Sequence, residues 1–286
     1  MALTESLVRV AREPRVELFV AQSPGPADRA LLVIHGGPDW DHTYLRAPLA
    51  ELAGHCRLIF ADLRGCGRST RGLDPARYTP DAAVADLLAL LDALGLPRAD
   101  VLGFSYGGLL AQRLALSAPD RVRRLIIASS SIPPVPPDAY DDWPEAAALR
   151  ERGPAPWAQA PEPSADLVRA DAIAAAATHV WRPEARPDYL RRIEHVRFTA
   201  EWARPFLAGT LPPARPEAAL DRLAALGLPV LLLHGRRDLT FPAKLAGQAA
   251  AALPGARAVV LPDAGHMAHI DQPAAWLAAI SAFLGL

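Results

Sequence analysis

Short runs of Val, Ile and Leu alternate along this chain with longer segments of helical pattern, and that rhythm constrains the fold more than any other feature. The runs fall at residues 16–20, 30–34, 57–61, 100–104, 125–128, 230–233 and 258–261. Most are apolar at consecutive positions, the pattern of strands buried on both faces, as in a parallel sheet covered by helices on either side. Between them, residues 43–54, 81–95, 106–117, 242–253 and 273–284 have helix-forming composition with Pro or Gly near an end. The expected class is α/β, with a mostly parallel sheet and helices on both faces.

The rhythm breaks after Ser131. Pro133, Pro134, Pro136, Pro137, Pro144, Pro154, Pro156, Pro161 and Pro163 crowd one stretch, a density that can continue neither a sheet nor a regular helix. Two helical patterns follow at 165–180 and 188–204, then a Pro-rich turn at 211–216, before strand-like sequence resumes at Val230. Residues 132–219 therefore read as a helical insertion into a core made of residues 1–131 and 220–286.

Composition narrows the function classes. With 30 Lys and Arg against 31 Asp and Glu, the net charge of −1 creates no strong field, which argues against nucleic acid or an anionic membrane as partner. No apolar run approaches the ~20 residues a membrane span requires. The first 20 residues have no basic start followed by an apolar stretch and a small-residue cleavage site, so a cytoplasmic location is expected. Cys56 and Cys66 are too few for a disulfide framework and read as buried free thiols. No metal-ligand spacing is present, His42, His55, His179 and His195 included, and no cofactor is implied.

Chemistry is concentrated in Gly103-Phe104-Ser105-Tyr106-Gly107, a G-x-S-x-G set between an expected strand and an expected helix. A sharp turn there would lift Ser105 above the sheet, and small neighbours two positions away make room for it. A serine hydroxyl is a weak nucleophile at neutral pH, so the reading requires a histidine base and an acid that orients it. Asp238 and His266 supply them, each in a loop past the carboxyl end of a strand, where open α/β sheets build their sites. His269 is a rival base, and Asp263 and Asp271 are rival acids that read better as loop caps. For the oxyanion of an acyl-transfer intermediate, the Tyr106 N–H is one expected donor. Gly37, in His35-Gly36-Gly37-Pro38 after the strand at 30–34, is the other.

Together these motifs resemble the α/β-hydrolase fold over nearly the whole chain, and more narrowly the proline iminopeptidase group of serine aminopeptidases and related esterases. The residues that carry the likeness are His35-Gly-Gly-Pro38, Asp62-Leu-Arg-Gly-Cys-Gly-Arg-Ser-Thr70, Gly103-Phe-Ser-Tyr-Gly-Gly108 and His234-Gly-Arg-Arg-Asp238. The resemblance implies a triad of Ser105, Asp238 and His266, an oxyanion hole from Gly37 and Tyr106, and a helical cap at 132–219. It also implies that Asp62, Arg64 and Ser69 pin a loop beside the site.

In those aminopeptidases, acidic cap residues hold the substrate's free amine. Arg192-Ile193-Glu194 with Phe198 looks like the motif that carries such a residue, which makes Glu194 the expected amine ligand, with Glu201 behind it. Two departures appear. Leu239 follows Asp238 where some relatives have a second acid, and Asp39 closes the family's usual H-G-G-P-G. Asp39 would either supply the missing charge or cap the next helix. Phe104, Trp40, Trp181, Phe198 and Trp202 are candidate pocket walls. The expected activity is release of an N-terminal residue from a small peptide or amide, with a carboxylesterase or lactonase as the alternative. A non-catalytic receptor would show a broken triad, and a scaffold acting through its P-x-x-P spacing would expose Pro133–137.

Overall fold

A computed structural model describes residues 3–143, 146 and 155–286. Pro144 and Pro154 of the proline-rich run lie outside the described residues. Eight strands form one sheet: β1 Thr4–Arg12, β2 Arg15–Gln22, β3 Ala30–Ile34, β4 Arg57–Ala61, β5 Ala99–Phe104, β6 Val122–Ala128, β7 Val230–Gly235 and β8 Arg257–Leu261. Their order is β1-β2-β4-β3-β5-β6-β7-β8. The β1–β2 and β2–β4 pairs are antiparallel, and every pair from β4–β3 to β7–β8 is parallel.

Strand periodicity divides the core. Leu32 and Ile34 of β3, Leu125 and Ile127 of β6, and Val230 and Leu232 of β7 meet Leu87 and Leu91 of helix Pro80–Ala93 and Leu110 and Leu114 of helix Tyr106–Ser117. The alternate residues Leu31, Val33, Ile126, Leu231 and Leu233 meet Trp276 and Ile280 of helix Pro273–Leu284 on the opposite face. Helix Pro80–Ala93 begins where the Thr79 hydroxyl accepts the Ala82 N–H at 3.2 Å, with Pro80 as its first residue.

Three expectations need correction. Residues 43–54 do not form one helix. They make short turns at Thr43–Leu45, Arg46–Leu49 and Ala50–Leu52, with Ala47 extended at φ −97°, ψ 134° because Pro48 crowds a helical residue before it. Residues 188–204 split into helix Arg186–Glu194 and a turn at Ala203–Leu207. Two distant carboxylates take the N–H groups that a continuous helix would use: Asp41 accepts from Arg197, and Asp39 accepts from Trp202 and Ala203. The expected helix at 165–180 is likewise two pieces, Ala165–Ala174 and Ala176–His179. β1 and helix Ala219–Leu226 were not anticipated. Among the described residues, no helix is long and apolar enough to cross a membrane.

Candidate active site

Ser105 stands between β5 and the helix that follows it, at φ 54° and ψ −120°, a backbone conformation that L-residues rarely adopt. The turn exists because its neighbours lack side chains. A Cβ on Gly103 would come within 2.3 Å of the Gly107 carbonyl, and one on Gly107 within 2.3 Å of the Ile34 carbonyl. The Ser105 N–H is held by the Ala128 carbonyl at 2.9 Å, which fixes the turn to the end of β6.

Asp238 and His266 reach Ser105 from the ends of β7 and β8. Their loops are laced together, since the Arg236 N–H donates to the Leu261 carbonyl and the Arg237 N–H to the Ala264 carbonyl, each at 2.8 Å. Gly235 permits this closeness: a Cβ there would lie 2.2 Å from the Gly265 carbonyl. His266 Nδ1 is 3.0 Å from Asp238 Oδ2, and His266 Nε2 is 3.0 Å from Ser105 Oγ. A carboxylate only accepts, so Nδ1 carries the proton and Nε2 offers its lone pair to the serine O–H.

Asp238 is buried, and its other oxygen accepts the Thr240 and Phe241 N–H groups at 2.7 and 2.9 Å. His234 Nε2 faces both the Phe241 carbonyl at 3.0 Å and Asp238 Oδ2 at 3.4 Å; both are acceptors, so that nitrogen is protonated. Burial works against the charge on Asp238. The nearby His266 and hydrogen bonds from His234 and His266 outweigh it and hold the carboxyl well below the usual carboxylate range.

The rival residues lie elsewhere. His269 is fully buried among Tyr44, Phe104 and Trp276, neither ring nitrogen has a partner among the described residues, and burial holds its pKa far below the ordinary value. Asp263 is exposed. Asp271 accepts N–H groups from Gly265, Trp181 and Arg182 at 2.8, 3.1 and 2.8 Å, and so ties the His266 loop to the chain between β6 and β7.

A cavity of about 390 Å³ opens over Ser105. Gly37, Tyr106, Trp40, Phe104 and Asp39 all line it, as do Tyr44, Trp157, Asp171, His179, Trp202 and Phe206. The Gly37 and Tyr106 N–H groups have no acceptor among the described residues. Tyr106 is the first residue of its helix, where the N–H groups lack intrahelical partners and partial positive charge collects.

The expected acidic residues divide differently. Asp39 lines the cavity, but its carboxylate accepts from the Thr199 hydroxyl at 2.9 Å, the Trp202 N–H at 3.1 Å and the Ala203 N–H at 2.9 Å. It caps a turn about 160 positions away rather than the next segment. Glu194 is exposed and does not line the cavity. Glu201 pairs with Arg204 at 3.1 Å and is likewise outside the lining. Glu194 lies outside the lining because its helix turns Tyr189 and Ile193 inward and leaves the glutamate exposed.

Asp62 accepts His42 Nδ1–H at 2.6 Å and the Arg68 backbone and Nε groups at 3.0 Å. Arg64 forms two hydrogen bonds of 2.6 Å with Asp86, and the Ser69 hydroxyl donates to the Asp62 carbonyl at 2.6 Å. These bonds tie residues 62–69 to His42 and to helix Pro80–Ala93. Tyr44, Asp171, His179, Trp157 and Phe206 carry no motif in the sequence that would have placed them at the cavity.

The sequence profile of the alpha/beta hydrolase fold matches residues 29–273. This chain belongs to the α/β-hydrolase fold family. It is 32% identical over 269 residues to the pimeloyl-[acyl-carrier protein] methyl ester esterase of Pectobacterium atrosepticum, covering 92% of this chain and 96% of that one. It is 31% identical over 267 residues to the proline iminopeptidase of Levilactobacillus brevis, covering 89% and 87%. The crystal structure of a hydrolase from Pseudomonas aeruginosa PA01 superposes with a TM-score of 0.74 at 28% identity, covering 99% of each chain. These α/β-hydrolase relatives support a hydrolase, and their names span ester and peptide substrates.

Proposed function

We propose that this chain is a serine hydrolase that works through an acyl-enzyme and acts on small esters with an apolar acyl group. One observation carries the reading: the hydrogen-bonded series from Asp238 through His266 to Ser105 opens on an aromatic cavity. His266 Nε2 takes the Ser105 proton as Oγ attacks the substrate carbonyl, and the ion pair with Asp238 stabilises the imidazolium that forms. The Gly37 and Tyr106 N–H groups receive the tetrahedral oxyanion. His266 returns the proton to the departing oxygen, then deprotonates a water that attacks the acyl-enzyme, and Ser105 recovers its proton.

Esters are placed ahead of amines because the three acids expected to hold a free amine are elsewhere or engaged. Glu194 faces solvent, Glu201 pairs with Arg204, and Asp39 is committed to three donors. Asp171 at the cavity wall favours a second reading, release of an N-terminal residue from a small peptide.

Turnover of a short-chain p-nitrophenyl ester, compared with Pro- and Ala-p-nitroanilides with free and blocked amines, separates the two. The ester is expected to be the faster substrate, with blocking of the anilides making little difference. Anilide turnover abolished by blocking would favour the peptidase. In either case, Glu194→Gln is expected to leave kcat/KM within about twofold, as for a surface substitution away from the site; a larger loss for free-amine substrates alone would return Glu194 to the binding site.

A further inference from the structure

We propose that the Tyr44 hydroxyl is a third donor to the oxyanion, beside the Gly37 and Tyr106 N–H groups. The proposal rests on the serine hydrolase reading above. It begins from the accounting of one proton. The Gly36 N–H donates to Tyr44 Oη at 2.9 Å, so the phenol oxygen is already an acceptor and its own hydrogen needs another partner. Among the described residues, none accepts it. Tyr44 is 1% exposed, yet it lines the same cavity as Ser105, Gly37 and Tyr106. A buried O–H without an acceptor is costly, and the bound substrate can supply one there.

The position suits that role. Gly36 immediately precedes Gly37 and packs so closely on the nucleophile that a Cβ on it would lie 2.9 Å from Ser105 Cβ. The hydroxyl is therefore bonded to the residue that packs on the nucleophile and immediately precedes one expected backbone donor. The ring is fixed by edge contacts with Trp40 at 5.2 Å and Phe104 at 5.8 Å, and by His269 at 5.8 Å. Burial pushes the phenol's pKa well above its ordinary value, so the group keeps its proton at neutral pH. A donor held this rigidly needs little reorganisation as charge develops on the carbonyl oxygen.

The alternative role is structural, with Tyr44 acting only as the acceptor for Gly36. Tyr44→Phe removes both functions, so the test needs a readout that separates them. Matched p-nitrophenyl oxo- and thionoesters separate a loss at the oxyanion from a general loss, because the C=S sulfur accepts hydrogen bonds poorly, and a phosphonate complex separates a direct Tyr44 bond from a shift of Gly37. Tyr44→Phe is expected to lower kcat on the oxoester by on the order of 10²-fold, with KM little changed and much less effect on the thionoester. Equal losses on both, or no loss on either, overturn the proposal.

A wild-type crystal structure with a phosphonate on Ser105 tests the same point without a variant. Tyr44 Oη within about 3.0 Å of the phosphonyl oxygen is expected, and a separation beyond about 3.5 Å overturns the assignment. Ser105→Ala, assayed alongside, distinguishes the two failures: persistent activity there defeats the serine mechanism itself, whereas its loss with an unchanged oxo/thiono ratio defeats only the role of Tyr44.

Discussion

Ser105→Ala is expected to lower kcat/KM on any substrate the protein turns over by on the order of 10⁴-fold or more, with the fold intact. The hydroxyl is the only atom the change removes, and the turn that holds it depends on Gly103, Gly107 and the Ser105 N–H bond to Ala128 rather than on the side chain. The thermal midpoint should therefore stay close to that of the parent while activity disappears. The assay that decides this is pre-steady-state release of p-nitrophenol with substrate in excess, in which the parent shows a burst of one equivalent if deacylation is the slower step. Activity that survives the substitution would defeat the mechanism, whichever substrate gave it.

Asp238→Asn is expected to cost about 10⁴-fold in kcat, because an amide facing His266 Nδ1 no longer fixes the tautomer that leaves Nε2 free for Ser105. It also has a signature in stability. The folded Asp238 carboxyl lies below the usual carboxylate range, whereas in the unfolded chain it returns to about 3.9. A depressed pKa means that the unfolded state binds the proton more readily. This contribution to stability is therefore fully present above the unfolded pKa and is lost as pH falls through the folded value. Thermal midpoints recorded from pH 7 down into the acid range should fall more steeply below about pH 4 in the parent than in Asp238→Asn. Parallel curves would show that this carboxylate's pairing does not contribute to acid unfolding.

The parts of the molecule legible in the sequence are those whose cause is local. β3, β5, β6 and β7 could be read because strands covered on both faces are apolar at nearly every position, as in Leu31-Leu32-Val33-Ile34. The turn at Ser105 could be read because its geometry admits only glycine at Gly103 and Gly107. β1 was not legible: it is an edge strand with Leu7 57% exposed, and only Val8, Val10 and Ala11 turn toward the core. The break between Glu194 and Ala203 was equally hidden, since its cause is a carboxylate at Asp39, far away in sequence. Resemblance placed Glu194 at the substrate, but which face of a helix meets the cavity is set by packing that no short motif records. Tyr44 was invisible for the same reason, because its importance lies in a contact with Gly36 and not in any spacing.

Asp39 and Asp271 fasten the chain between β6 and β7 to the loops bearing Gly37 and His266, and what they grip is mostly main chain: the N–H groups of Trp202 and Ala203, and those of Trp181 and Arg182. Nearly every amino acid offers that same N–H. The side chains over Ser105 can therefore drift through many substitutions without loosening the attachment, so that a lineage can explore new substrates while the machinery that cleaves them keeps its alignment.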